Sequence, residues 1–309
     1  MEAAKLAFCL LLVLAVTGES QDIFERLRRS LGPAGESAAQ ALAAKDFSKV
    51  DEILAKAKPS NNAQRAELLS LQGAVDFVEG KMAPAATAFR QASAIAPLTD
   101  PDTFTLAMAL VKLGDDAEAR AALTKLSEKR PDNAVYIYWL GRLDYDQRRY
   151  QEAVAKLERA TKLDPQSTRA WDSLGLAFDM QGQADQARTT FQRAVELNRN
   201  EEHSSPWPPH DLGYLLLRMD QVKEAESALR ESLRYDPNFA QAHYHLGRVL
   251  EKEERDTQAI EEYKRAVSLD ASSPDACYSL AMLYRKLHRN AEAEAMFAEY
   301  RKRRQPPRP

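Results

Sequence analysis

Cysteine is nearly absent from this chain. Cys9 and Cys277 are the only two in 309 residues, and Cys9 sits in an apolar N-terminal run, so the rest holds one thiol and no internal disulfide. Asn-x-Ser/Thr is missing altogether, which excludes N-linked glycosylation and leans towards a bacterial periplasm. Neither sign of charge dominates: 43 basic against 46 acidic side chains leave a formal net charge of −3, with 29% of residues charged and 44% hydrophobic. That balance describes a soluble chain without the electrostatic footprint of a nucleic-acid binder. No hydrophobic run spans a bilayer: Leu6 to Val16 has eleven residues, where a crossing helix needs about 20. Catalytic signatures are lacking as well. There is no His-Glu-x-x-His, no Gly-x-Ser-x-Gly, no phosphate-cradling glycine loop and no cysteine pair.

What is there begins with an export signal. A single Lys5 precedes the apolar run, and the small residues behind it fit a secretory signal peptide over residues 1–18. Val16 and Gly18 take the small −3 and −1 positions, with cleavage before Glu19. Glu2 offsets Lys5, so an uncleaved peripheral anchor is the rival reading. Phe8 stands where a lipid-bearing cysteine wants a small residue, and Cys9 therefore reads as part of the run. The expectation is a periplasmic or secreted protein with no membrane span once the signal is removed.

Residues 19–65 come next. Ile23, Phe24, Leu27 and Leu31 mark one short amphipathic helix that stops at Gly32-Pro33 and is expected to cap the first end of a helical stack. Two alanine-rich helical stretches over 34–58 split near Lys45-Asp46, with Phe47, Val50, Leu54 and Ala57 marking the second. They read as a degenerate first copy of a repeat that becomes regular from Ala66 onward.

From Ala66 a 34-residue unit recurs. Units cover 66–99, 100–133, 134–167, 168–205, 206–239, 240–273 and 274–304, and only the step from 168 to 206 is longer, at 38. With units so numbered, position 8 is always small: Gly73, Ala107, Gly141, Gly175, Gly213, Gly247, Ala281. Position 20 is alanine throughout, from Ala85 to Ala293, and position 24 is bulky, from Phe89 to Phe297. A fixed period of this size means stacked supersecondary units in place of one closed core. Two antiparallel helices per unit are expected, such as 66–79 with 83–96, and no strand. Small residues at 8 and 20 let the two backbones approach, and bulky residues at 7 and 24 fill the gaps between units. Pro97, Pro131, Pro165 and Pro237 stop the second helices, while Asp100-Pro101 and Ser273-Pro274 read as N-cap plus first-turn proline. The four extra residues ahead of 206 predict a rigid surface loop from His203 to Pro209. Its Trp207 either pins the loop to the stack or faces a ligand.

This register resembles the tetratricopeptide repeat family. The clearest copy is Trp171, Leu174, Gly175, Phe178, Gly182, Ala187, Phe191 and Ala194, and the resemblance covers roughly 66–304. Asp144 departs from it where an aromatic is expected, and Arg199 and Ala271 replace the closing proline. The resemblance implies an all-α, right-handed superhelical solenoid of helix-turn-helix repeats with a concave groove lined by the first helix of each unit. It further implies that positions 2, 5, 9, 12 and 13 face that groove. Those places hold Tyr138, Arg142, Tyr145, Asp172, Leu176, His210, Tyr214, Arg218, Tyr244, Arg248, Glu251, Tyr278, Met282 and Arg285.

Tyrosine and arginine are enriched where binding energy concentrates. Tyr138 with Arg142, Tyr214 with Arg218, and Tyr244 with Arg248 are i, i+4 pairs on one helix face. The bland alternative is that these tyrosines only pack against the neighbouring unit. The family's chaperone-tail clamp places asparagine at position 9, and no unit from 134 onward has one there, so that specificity is not expected. The implied function is an exported scaffold that holds an extended segment or a helix of another protein, in an envelope or secretion-related assembly. The rival is an accessory of a polysaccharide biosynthesis or export system whose groove contacts sugar or its synthase.

The remaining polar residues suggest little chemistry. His243 and His245 are two apart on a predicted helix and point to different faces, so no metal site is expected. His203 and His210 flank the inserted loop and read as solvated. Cys277, at position 4 of its unit, reads as a buried structural thiol. Arg301 to Arg304 suit a helix C-terminus, and residues 305–309 suit a disordered tail. Residues 19–65 are too few for a separate catalytic domain. Neither enzyme activity, cofactor nor nucleic-acid partner is expected, and oligomeric state is left open.

Overall fold

The computed structural model describes residues 19–304; the expected signal over 1–18 and the tail over 305–309 lie outside the described residues. Seventeen helices and no strand occur among them, and no described helix is long and apolar enough to cross a membrane. The chain divides into two compact units, one up to Leu143 and one from Asp144 onward.

The first unit holds α1 (Glu19–Leu31), α2 (Pro33–Ala43), α3 (Phe47–Lys56), α4 (Asn62–Glu79), α5 (Met82–Ser93), α6 (Asp100–Leu113), α7 (Asp116–Lys129) and most of α8 (Ala134–Asp146). The second continues with α9 (Tyr150–Leu163), α10 (Thr168–Met180), α11 (Ala184–Asn198), α12 (Trp207–Arg218) and α13 (Val222–Tyr235). It ends with α14 (Ala240–Lys252), α15 (Asp256–Leu269), α16 (Asp275–Lys286) and α17 (Asn290–Arg304). Within each unit, consecutive helices pack as antiparallel pairs at the expected period.

Position 20 is buried in every copy, from Ala85 to Ala293. Position 24 does something the pattern alone does not reveal. In four copies its side chain lies directly over the position-8 glycine of its own pair: Phe89 over Gly73, Phe191 over Gly175, Leu229 over Gly213 and Tyr263 over Gly247. A Cβ added at Gly175 would stand 2.6 Å from the Phe191 ring, and one at Gly247 2.6 Å from the Tyr263 ring. Glycine is needed there because the ring occupies the space a methyl group would take. In the stretch before Ala66, Ala38 and Val50 are fully buried, each 35 residues ahead of Gly73 and Ala85.

Each helix pair turns in the same way. The turn residue has positive φ in all eight copies: Lys45, Gly80, Gly114, Arg148, Gly182, Asp220, Glu254 and His288. The next N–H then reaches back to a carbonyl of the last helical turn. Lys81 donates to Asp76 at 2.8 Å, Arg149 to Asp144 at 2.8 Å and Arg255 to Leu250 at 2.9 Å. This is the left-handed C-cap that closes a helix and reverses the chain. Five of the eight residues are not glycine, so the turn is imposed by packing on both sides of it.

Several local expectations shift. The N-cap of α6 is Thr99, whose hydroxyl accepts from the Asp102 N–H, with Asp100 and Pro101 inside the first turn. The cap of α16 is Pro274, one residue later than Ser273. Trp207 to Pro209 are not loop but the first turn of α12, where proline needs no N–H partner. The connection before them is fixed by the buried Asn198 amide, which donates to the Ser205 carbonyl at 2.9 Å and accepts from the Ser205 N–H at 2.7 Å. Arg199, in place of the closing proline, binds Glu231 through two 2.7 Å hydrogen bonds. At Ala271, the other missing proline, Arg303 donates to the carbonyls of Asp270 at 2.8 Å and Ser273 at 3.3 Å. That side chain is a structural strap, not a solvated member of a basic run.

The first helix reaches further than an end cap. It packs on α2 and α4 with Ile23 and Leu27 buried, and its Arg26 extends to α6. Arg26 donates to both carboxylate oxygens of buried Asp102, at 2.8 and 3.1 Å, and to Glu67 at 3.0 Å. Burial opposes the charge, but those two carboxylates outweigh it and raise the guanidinium pKa.

Candidate binding face of the second unit

The first helices of the second unit carry most of the residues singled out above. On α12 and α14, Tyr214, His210, Tyr244, Arg218 and Arg248 come together around a residue outside the expected groove positions, His245. The His245 ring stacks on Tyr214 with centroids 4.5 Å apart and planes at 20°. Tyr244 lies 5.1 Å away and His210 5.0 Å away. The arginines sit over the tyrosines of their own helix, Arg218 5.5 Å from the Tyr214 centroid and Arg248 5.9 Å from that of Tyr244. Helical i, i+4 spacing produces both contacts.

The two arginines differ in what else they do. Arg218 donates to Asp179 on α10 at 2.6 Å, which ties neighbouring first helices together. Arg248 has no carboxylate partner among the described residues, so its planar donors stay available. Trp207 packs edge-on against Phe239 at 4.7 Å and against His210 at 5.8 Å, yet is 43% exposed. It is pinned on one side and open on the other.

His210 is not a solvated loop histidine. It is 5% exposed, lies on α12, and its ring is held by Asp211 and His245. Burial, then the neighbouring His210 and Arg248, push the His245 imidazole down to about 3. His243 does face away from His245, as expected: it is buried with Nδ1 2.5 Å from Glu262 and Nε2 2.9 Å from the Pro237 carbonyl. Among the described residues no cluster of three or more His, Cys, Asp or Glu is arranged to hold a metal.

The other expected groove residues are dispersed. Glu251 accepts from the buried Tyr263 hydroxyl at 2.8 Å, which gives it a structural task. Tyr278, 45% exposed, forms a separate patch on α16 with Phe297 and Tyr300 of α17. Arg285 there lies 5.8 Å from the Phe297 centroid and donates to the Met282 sulfur at 3.2 Å. Asp172 and Leu176 are half-buried on α10. Tyr145 packs edge-on against Tyr150 at 5.6 Å. Tyr138 and Arg142 belong to the first unit, where Tyr138 meets Trp139 at 5.3 Å. Asp144, the departure from the aromatic pattern, is fully buried and neutralised by Arg149 and Lys156, each at 2.6 Å. Cys277 is buried, and burial raises its thiol pKa.

A family model described as "Tetratricopeptide repeat" matches residues 104–155, 138–202 and 210–276, together more than half of the chain. "Tetratricopeptide repeat protein 37" of Xenopus laevis is 25% identical over 214 residues, 57% of this chain and 14% of the relative. "Superkiller complex protein 3" of Mus musculus is 33% identical over 96 residues, 30% of this chain and 6% of the relative. The chain thus spans a small fraction of the length of these relatives. Among solved structures, a tetratricopeptide repeat protein from Parabacteroides merdae superposes with a TM-score of 0.65 at 17% identity, covering 85% of this chain and 99% of that one. At that identity the likeness is one of fold.

Proposed function

The chain belongs to the tetratricopeptide repeat family, and from that premise we propose that it is a scaffold binding a segment of another protein on the first-helix face of its second unit. The observation that carries this reading is the α12–α14 cluster. Tyr214, His245 and Tyr244 form a stacked, half-buried aromatic surface, and Arg248 stands beside it with no carboxylate partner. Rigid aromatic rings offer contact area at low entropy cost, and a guanidinium adds a planar donor for carboxylates or backbone carbonyls. Such a pairing of ring and fork is what interface hot spots are made of. Lys5, the Leu6–Val16 run and the small residues near Gly18 support placing the scaffold outside the cytoplasm, in an envelope or secretion-related assembly.

Replacing Tyr214 with a photoreactive phenylalanine analogue and irradiating in periplasmic extract tests the face directly. A cross-linked protein is expected from position 214 and none from position 223 at the exposed start of α13. Cross-links from 223 alone would move the binding surface to the second helices. N-terminal sequencing of the purified chain checks the export reading: a start at Glu19 supports it, and a retained Met1 contradicts cleavage.

A further inference from the structure

The same cluster contains a chain of three titratable groups. The Asp211 carboxylate lies 2.7 Å from His210 Nδ1, and His210 Nε2 lies 3.0 Å from His245 Nδ1. The far nitrogen, His245 Nε2, has no hydrogen-bond partner among the described residues, and its residue is half-buried. The ring that carries it stacks on Tyr214 and lies 5.1 Å from Tyr244.

Counting protons along this chain fixes both tautomers. A carboxylate only accepts, so His210 Nδ1 carries the proton that faces Asp211. With His210 neutral, its Nε2 is bare and accepts from His245 Nδ1–H, which leaves His245 Nε2 bare. Add one proton to His210 and the order reverses. His210 Nε2–H then donates to His245 Nδ1, and a neutral His245 must carry its proton on Nε2.

We infer that Asp211, His210 and His245 form a proton relay that offers a bound partner a hydrogen-bond acceptor at His245 Nε2, and that one proton taken up by His210 converts that atom into a donor. In the neutral state the site selects N–H donors, such as a backbone amide or a side-chain carboxamide. In the protonated state it selects carbonyl and carboxylate oxygens. The partner side of this inference rests on the binding face proposed above; the relay itself does not.

The surroundings keep the added proton on His210. Burial, then the neighbouring His210 and Arg248, oppose an added charge on His245, while the Asp211 carboxylate faces His210 Nδ1 at 2.7 Å. Tyr214 and Tyr244 are the other titratable groups on α12 and α14 beside the pair. On α10, Asp172 holds the register position towards Asp211 that His210 holds towards His245. Buried Glu231 of α13 and half-buried Glu262 of α15 are committed elsewhere, to Arg199 and His243.

The test needs no partner. The chain has five histidines, so the full-length protein labelled with ¹⁵N only at histidine gives a tractable long-range ¹H–¹⁵N spectrum. Titrating from about pH 8 to about pH 5 spans the usual histidine range. His245 is expected to stay neutral while passing from the Nδ1–H to the Nε2–H tautomer, in step with His210 gaining its second proton. A His245 that keeps one tautomer throughout, or becomes an imidazolium itself, overturns the relay. Asp211→Asn should abolish the coupled change while leaving the His243 signals in place; an unchanged titration in that variant also overturns it. Because the readout is a ring tautomer, a binding face that failed by cross-linking would leave this result standing.

Discussion

Gly175→Ala probes the contact that sets the spacing of each helix pair. The new Cβ would stand 2.6 Å from two atoms of the Phe191 ring, against the roughly 3.5–4.0 Å that carbon atoms prefer. Phe191 is almost fully buried, so its ring has no open space to enter and the pair must separate or the ring leave its rotamer. Overpacking of this kind costs about 1–3 kcal/mol. Alanine returns about 1 kcal/mol of helix propensity over glycine, so the single variant loses about 0–2 kcal/mol. The sharper quantity is the coupling. The 100–133 copy already pairs Ala107 with Leu123, both fully buried, so Phe191→Leu should make room for the methyl group added at Gly175. The double variant should exceed the sum of the singles by about 1–2 kcal/mol. Urea unfolding supplies the four free energies, and amide exchange in α10 and α11 localises them where unfolding is not two-state. Additivity within about 0.5 kcal/mol would mean that position 24 does not rest on position 8.

Two further perturbations concern buried charge. Arg26→Ala strands the Asp102 carboxylate and should cost about 3–5 kcal/mol in the first unit, seen as a lower urea midpoint and faster amide exchange in α1; Arg26→Met with Asp102→Leu should recover most of it. His245 has its pKa lowered from 6.5 to about 3 by folding, so the unfolded chain binds more protons between those values. Stability from this group is therefore complete above about pH 6.5 and declines as pH falls towards about 3, and urea midpoints measured against pH should show a flatter acid limb in His245→Gln.

The period, the helix pairing and the alanines at position 20 are legible in the sequence because they repeat, and repetition separates constraint from accident. The eight left-handed turns are less so. Where glycine fills them, as at Gly80 and Gly182, the signal is visible. Where Arg148, Asp220 or Glu254 does, the backbone is dictated by tertiary packing, and nothing in those side chains announces it. The reach of Arg26 to Asp102 joins residues 76 apart in sequence, a distance no local pattern encodes. The proposed binding face is half legible. Tyr214 and Arg248 emerge from the family register, but His245 occupies position 6 and becomes central only because stacking sets it against position 9 of the preceding repeat. His210 reads as solvated because three prolines beside it suggest a loop, whereas Pro208 and Pro209 occupy the first helical turn, where they are tolerated.

Affinity measured with the partner captured by cross-linking tests the central claim most directly. Tyr214→Ala and Arg248→Ala are each expected to weaken binding by about tenfold or more, equivalent to about 1.4 kcal/mol, with much smaller changes in unfolding midpoint. Arg230→Ala, on the exposed side of α13, should bind as wild type does. Wild-type affinity in both first-helix variants would contradict the account and move the search to the second helices.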